Sequence, residues 1–260
     1  MDNYHKNANK TQHNFVFASW LVSKFGQEKL RYGNQVIDVA GGLGVLCFEL
    51  AVRYGVGATL LEMRSNQVKL NSMQRRRMKR ITKNRLKQSS NLCSTIASDS
   101  FDESLIENEE RCPLILWLKT YSNYSIKDDF NILTNVMSSI DDKDLLPFSY
   151  IKQEFPVVWE TNNMDTQLIE LLSNTSVIVG VHSDQVTESI IDAAYDLNLP
   201  FAVVPCCVFP SLFPDRKKSN GEFVQTYEQF IEYLIEKYPK TLKENLPFEG
   251  RNVVLYRINI

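Results

Sequence analysis

The stretch Gln35-Val-Ile-Asp-Val-Ala-Gly-Gly-Leu-Gly44, followed at once by Val45-Leu-Cys-Phe-Glu-Leu-Ala-Val-Arg-Tyr54, narrows what this chain can become more than any other. Gln35 to Ala40 is a short apolar run broken by Asp38, Ala40 to Gly44 carry almost no side chain, and from Val45 apolar residues recur at helical spacing. Strand, tight bend and helix are predicted in that order. Glycine lets backbone approach a bound group closely, and a helix N-terminus offers unpaired N–H groups and the positive end of a dipole. A nucleotide-like ligand suits such a bend. Asp38, ending the strand, is expected to point its carboxylate into the same crevice. A second apolar run, Ala58-Thr-Leu-Leu61, ends in Glu62, where an acid can grip both hydroxyls of a ribose.

These residues resemble the first motif of the class I S-adenosylmethionine (SAM)-dependent methyltransferases, acid-x-Gly-x-Gly-x-Gly with an acid closing the second strand. Asp38, Gly42, Gly44 and Glu62 fill those places, and Ala40 stands where the first glycine usually does. The resemblance implies a Rossmann-like α/β fold, a mostly parallel twisted sheet with helices on both faces, and SAM as cofactor. It implies cofactor contacts from Asp38, Ala40, Gly41, Gly42, Gly44, Glu62, Met63 and His182. A rival reading takes Gly42-Leu-Gly44-Val-Leu-Cys47 as a dinucleotide fingerprint. That reading has Cys47 where a third glycine or alanine is wanted, and Asp38 would repel a pyrophosphate. A glycine bend that binds nothing is the bland alternative.

A chain of 260 residues, 43% hydrophobic and 23% charged, is long enough for one substantial core with insertions. Its net charge of -2 gives no global attraction to nucleic acid, so such a partner has to be met by a local patch. Five cysteines, two of them adjacent and none in a regular framework, suit a reducing compartment. No run is apolar enough for a membrane span, and the polar start lacks the core of a signal peptide. A cytoplasmic or nuclear protein is expected, an organelle staying open. Residues 1–12 read as a flexible arm, and 13–260 as one domain opening with a helix over His13 to Phe25.

Past Glu62 lies the strongest charge asymmetry in the chain. Arg75, Arg76, Arg77, Lys79, Arg80, Lys83, Arg85 and Lys87 fall within Gln67 to Gln88 almost without acids, and Leu70, Met73, Ile81 and Leu86 suit one stripe of a long helix. A phosphate backbone could lie on such a helix, since each cation placed on a phosphate releases a counterion. A solvated helix neutralised by the acidic stretch Asp99 to Glu110 is the alternative. Residues 66–147 read as an insertion between the second and third strands, and Phe148 to Phe155 resumes the strand pattern, with Glu154 near its tip.

In the second half, Ser176 to His182 reads as a buried parallel strand running into Ser183-Asp-Gln185, with a helix from Thr187 to Leu197. Pro200 to Pro210 reads as a fifth strand presenting Cys206 and Cys207 over the same crevice. Zinc is not expected there, since these cysteines and His182 lack the spaced pairs of a structural site. Vicinal cysteines on a strand cannot both face inward, so a pocket wall is preferred to a nucleophile. His182-Ser-Asp-Gln185 with Pro205-Cys-Cys-Val-Phe-Pro210 is distantly similar to tRNA 2′-O-methylating enzymes, which pair a histidine after strand four with Pro-Cys-Cys after strand five. Their cysteine-histidine zinc fingers have no counterpart here. A helix over Tyr227 to Tyr238 and a strand over Arg251 to Ile258 close the chain.

The expectation is therefore a SAM-dependent methyltransferase acting on tRNA or rRNA. His182 or Asp184 would serve as base. Arg75, Arg76, Arg77, Lys79, Arg80, Pro205, Cys206, Cys207 and Arg216 would contact the substrate. A catalytically inactive scaffold of the same fold, binding RNA or a ribonucleoprotein partner, is the alternative, and protein or small-molecule methylation a weaker one.

Overall fold

The computed structural model describes residues 2–64, 68–81, 146–160 and 164–258, with side chains from Gln12 onward. Seven strands form one sheet: β1 (Val36–Val39), β2 (Ala58–Leu61), β3 (Ser149–Ile151), β4 (Val177–Val181), β5 (Phe201–Val204), β6 (Leu242–Asn245) and β7 (Val253–Arg257), in the order β3-β2-β1-β4-β5-β7-β6. From β3 to β5 all neighbours are parallel, whereas β7 lies antiparallel to β5 and β6 antiparallel to β7. The chain is thus an α/β protein with a mostly parallel sheet.

Helices cover both faces, and this explains why β1, β2 and β5 are buried at every position. α1 (Asp2–Phe25), α3 (Val45–Tyr54) and α4 (72–81) lie on one face, where Phe17, Leu21, Phe48, Leu50 and Met78 pack on Val36, Leu60, Val177 and Val179. α5 (Thr166–Ser173), α6 (Thr187–Asp196) and α7 (Tyr227–Lys237) lie on the other, where Leu168, Leu172, Ile190, Phe230 and Leu234 meet Ile37, Val39, Ile178 and Val203. A one-turn helix, α2 (Gln27–Leu30), leads from α1 to β1. Each fully buried aliphatic or aromatic side chain contributes roughly 1.5–3 kcal/mol. The period-two alternation of β1 sends Ile37 and Val39 to the second layer and Val36 and Asp38 to the first, which fixes where the Asp38 carboxyl can go.

Several sequence expectations are redrawn. The arm expected at 1–12 belongs to α1 from Asp2. Met73, placed in the apolar stripe of the basic helix, is 77% exposed, and Met78 takes the core position instead. β6 was not foreseen, because Leu-Lys-Glu-Asn has no hydrophobic alternation; it is an edge strand, where charge discourages further pairing. Much of the 66–147 insertion, the acidic stretch Asp99 to Glu110 included, lies outside the described residues, as do Lys83, Arg85, Leu86 and Lys87. Among the described residues no helix is long and apolar enough to cross a membrane.

α3 starts and stops on glycines in the left-handed region, Gly44 (φ 69°) and Gly55 (φ 60°). A Cβ on Gly44 would lie 2.6 Å from Cζ of the buried Phe148, whereas a Cβ on Gly42 (φ 63°) would meet nothing within 4 Å. Gly44→Ala is therefore expected to lower the urea-unfolding free energy by roughly 2–4 kcal/mol, left-handed strain plus overpacking. Gly42→Ala, which carries the strain alone, is expected to lower it by about 1 kcal/mol.

Candidate functional site

From β1 the chain moves outward to β2 and β3 and then returns to lay β4 on the other side of β1, which makes the carboxyl ends of β1 and β4 a topological switch point. Ligands of open α/β sheets lodge at such points. A cavity of about 350 Å³ opens at this end of the sheet, lined by Ala40, Leu61, Glu62, Met63 and Arg64, by Gln153, Glu154, Phe155 and Val157 after β3, and by Ser183, Asp184, Gln185 and Val186 after β4. Around it Ala40 (φ 54°), His182 (φ 55°) and Asp184 (φ 52°) hold left-handed backbone without being glycine. Strain of this kind gathers where a structure must aim groups at a ligand.

Glu62 fastens the bend to the sheet. Its Oε2 accepts from Gly42 N at 3.1 Å and its Oε1 from Arg64 N at 2.7 Å, and the residue is buried. Each carboxylate oxygen has a second lone pair, so Glu62 can hold the bend and still accept from a ligand hydroxyl. Met63, 50% exposed, lies next to it along the cavity wall. Gly44 caps α3 without a side-chain hydrogen bond, and the first turn of α3 carries no acid. Its leading N–H groups and dipole are thus uncompensated by side chains at the bend.

Asp38 departs from expectation. It does not line the cavity but is fully buried beneath the bend, so close to Gly41 that a Cβ there would come within 2.2 Å of Oδ2. Only glycine fits at 41. Oδ2 accepts a 3.5 Å hydrogen bond from the Cys47 thiol and Oδ1 has no partner among the described residues. Burial pushes the carboxyl up to about 7, the Cys47 contact opposing and the Glu62 charge reinforcing the rise. The Cys47 thiol is itself pushed up by burial and by Asp38 and stays protonated. Cys47 thus fills the space a third glycine would leave and supplies Asp38 with its one hydrogen bond.

At the end of β4 the two candidate bases separate. His182 turns to the α1 face, its Nε2 3.2 Å from His13 Nδ1, with His13 stacked on Phe248 at 4.0 Å. It does not line the cavity. Asp184 does, with Oδ2 3.7 Å from Arg64 and Oδ1 accepting from the Cys206 thiol at 3.3 Å. Its side chain caps no helix. β5 stops at Val204, so Pro205 to Pro210 is not strand, and the bar to both cysteines facing one way falls with it. Pro205 is buried, and Cys206 and Cys207 are half-buried beside Asp184.

The basic residues are the largest correction. Arg216, expected on an RNA surface, is buried: its Nε donates to Glu188 at 2.5 Å, its Nη1 to the Val208 carbonyl, and its plane lies 3.6 Å from the Phe213 ring centroid. Burial alone would raise the Glu188 carboxyl, but Arg216, Lys237 and Tyr233 outweigh it and hold it below the ordinary range. Lys218 is engaged by Glu222 and Glu232. On α4, Arg77 reaches the buried Glu49 at 2.5 Å and Arg75 donates to the Leu70 carbonyl. Lys79 is half-buried, which leaves Arg76 and Arg80 as the exposed members of the expected set.

Arg64, Gln153, Phe155 and Val157 were not singled out from sequence, and Gln185 only as the end of the His182-Ser-Asp-Gln185 motif. Only the tip of β3, marked by Glu154, pointed toward that wall, and Arg64 could have been read from its place two residues past Glu62. Comparison of the chain with protein-family models, with curated proteins and with solved structures gave no match in any of the three.

The Asp38 carboxyl holds a proton in the folded chain that it loses in the unfolded chain at any pH between its ordinary 3.8 and about 7. Its contribution to stability falls as pH rises through that window and is level above it. The gap corresponds to on the order of 4 kcal/mol. Asp38→Asn should remove this slope, so the variant gains on the parent between pH 4 and pH 7 when both are unfolded by urea across that range. Arg216→Ala takes from the buried Glu188 carboxylate the partner of its Oε2, leaving Lys237 and Tyr233 on Oε1, and is expected to cost about 2–3 kcal/mol in the same assay, whereas Arg76→Ala and Arg80→Ala stay within about 0.5 kcal/mol.

Proposed function

We propose that this protein binds SAM at the switch-point cavity and transfers its methyl group to an RNA acceptor. The observation that carries the reading is the Glu62 carboxylate. It is buried at the carboxyl end of β2, tied to the Gly42 N–H, and still lines the cavity together with Ala40 and the loop after β3, the bend's glycines lying off the cavity wall. Glu62 would accept from the ribose hydroxyls. Met63, Phe155 and Val157 supply apolar walls for a purine, and Gln153 and Glu154 offer polar atoms at its edge. Oδ1 of Asp38, without a hydrogen-bond partner among the described residues, lies beneath Gly41, where a cationic amino group brought to the bend would favour the ionised carboxylate.

When bound, SAM supplies an activated sulfonium methyl, so the protein's share is alignment and proton removal. Of the two expected bases, Asp184 is the one whose carboxylate lines the cavity, while His182 is engaged by His13. The RNA reading rests on the exposed Arg76 and Arg80 of α4, a helix joined to α3 through Arg77 and Glu49. A scaffold that binds SAM without turnover is the second reading. It is favoured by Asp184 being held by Arg64 and Cys206, which leaves neither expected base idle.

S-adenosylhomocysteine at about a hundred times its dissociation constant should raise the melting temperature by roughly 5–10 °C, as linkage requires of a ligand bound by the folded chain. Glu62→Gln keeps an acceptor for Gly42 N but removes the charge, and should weaken that ligand at least about ten-fold, the worth of one charge-assisted hydrogen bond. Tritium transfer from labelled SAM to total RNA, lost in an Arg76→Glu/Arg80→Glu variant, supports the enzyme. A thermal shift without transfer supports the scaffold, and no shift at millimolar ligand overturns both.

A further inference from the structure

Cys206 and Cys207, which do not line the cavity, form a cluster with Asp184, which does. The three residues, all half-buried, bring one carboxylate oxygen and two sulfurs within 4.8 Å of one another. The fold gathers them in two steps. β4 and β5 are parallel neighbours, with Val181 paired to Val204, so the residues just past each strand emerge side by side at the crevice end of the sheet. The chain then leaves extended geometry at Pro205, which frees consecutive side chains from pointing to opposite faces. Both thiols can therefore serve one centre, which a continuing strand would forbid.

We propose that Asp184, Cys206 and Cys207 are a binding site for a single divalent cation of the zinc class, held by three protein ligands with a fourth position open. The chemistry of the set fits. Two thiolates select a borderline-soft metal over magnesium or calcium, and one carboxylate completes a mixed sulfur and oxygen set of a kind zinc accepts. Zinc–sulfur bonds of about 2.3 Å separate two sulfurs by about 3.8 Å in a tetrahedron, so the cluster needs side-chain adjustment and no refolding. Cys206 already donates to Asp184 Oδ1 at 3.3 Å, along the edge the ion would occupy. Arg64 contacts the other oxygen, Oδ2, so ligation through Oδ1 leaves that ion pair in place, and it becomes the contact that orients the ligating carboxylate.

The balance is simple. The ion enters, both thiols give up their protons to solvent, and the thiol hydrogen bond to Oδ1 is exchanged for coordination; no electron moves. Thiols ligate only as thiolates, so proton loss opposes loading and affinity climbs with pH. Three protein ligands with a vacant fourth position are the arrangement of zinc sites that bind an exchangeable group, here a water or the sulfur or oxygen of a small molecule. Because Asp184 lines the cavity, that position lies at its wall. An ion on Oδ1 and a proton on the same carboxylate exclude each other, so metal binding is to be read directly and not through methyl transfer.

The full-length chain, reduced and stripped of metal, is titrated with Co²⁺. One equivalent is expected to raise a thiolate-to-cobalt charge-transfer absorption, Zn²⁺ to abolish it by displacement, and each ion to release about two protons into a weakly buffered solution. Cys206→Ser/Cys207→Ser should lose the band, Asp184→Asn should keep it with at least ten-fold weaker affinity, and Cys93→Ser/Cys112→Ser should leave it unchanged. The proposal is overturned by no band at one equivalent, by a band that survives loss of Cys206 and Cys207 or follows Cys93 and Cys112, or by binding without proton release from the parent chain. The last measurement needs no variant to fold. An S-adenosylhomocysteine shift on the same samples reads the cofactor site separately, so either result can fail alone.

Discussion

One carboxylate holds the candidate site together. Glu62 takes hydrogen bonds from the N–H groups of Gly42 and Arg64, and these bonds clamp the loop after β1 to the end of β2. A bend of Ala40, Gly41, Gly42, Leu43 and Gly44, whose one large side chain, Leu43, is exposed, has little with which to fix itself, so its shape is borrowed from the neighbouring strand. The charge-assisted character of the contacts, in a buried setting, makes them stronger than ordinary backbone bonds. The backbone carbonyl of Glu62 is also engaged, by the Tyr150 hydroxyl from β3, so three successive strands meet at this residue. Geometry at the bend, the cavity wall and the β3 tip is in this sense one arrangement.

The second feature is the division of labour between the two layers. Asp38 and Glu62 both end strands, yet one lies sealed under the bend and the other lines the cavity. The difference follows from depth: Asp38 lies within β1 beneath Gly41, whereas Glu62 lies just past the end of β2 at the cavity wall. Asp38 faces the α3 layer, beside Cys47 and beneath Gly41, and burial there pushes its carboxyl up to about 7. Such an arrangement tolerates an uncharged acid at rest and rewards the arrival of a cation. On the opposite layer Glu188 meets the reverse condition, with Arg216, Lys237 and Tyr233 converging on it to keep it ionised.

How much of this was legible beforehand depended on whether a property is local. The strand, bend and helix from Gln35 to Tyr54 could be read because hydrophobic period, glycine placement and helix start all agree within a few residues. The same holds for β4, α6 and α7. Arg216 was misread because burial of an arginine depends on Glu188 and Phe213 converging on it, and nothing at 215–218 announces that. Cys206 and Cys207 were misjudged because their shared direction depends on where β5 ends, and element ends are the least readable feature of a pattern. β6 escaped notice because an edge strand with one solvent-facing side has no need of apolar alternation. Met73 and Met78 exchanged places because α4 offers few apolar residues from which to set a phase.

Glu244, on the edge strand β6, accepts from Trp20 at 3.0 Å, from Lys24 at 2.6 Å and from the Tyr256 hydroxyl at 2.5 Å, across sequence separations of 224, 220 and 12 residues. The opening helix is thereby latched to the closing hairpin. The Trp20 indole N–H of α1 thus finds its acceptor 224 residues along the chain. Closing a loop of that span carries an entropic cost, though one that grows only slowly with length. Because α1 also packs on α3 in the layer over β1 and β4, Glu244 makes the outermost strand a support of that helix layer as well as an edge of the sheet.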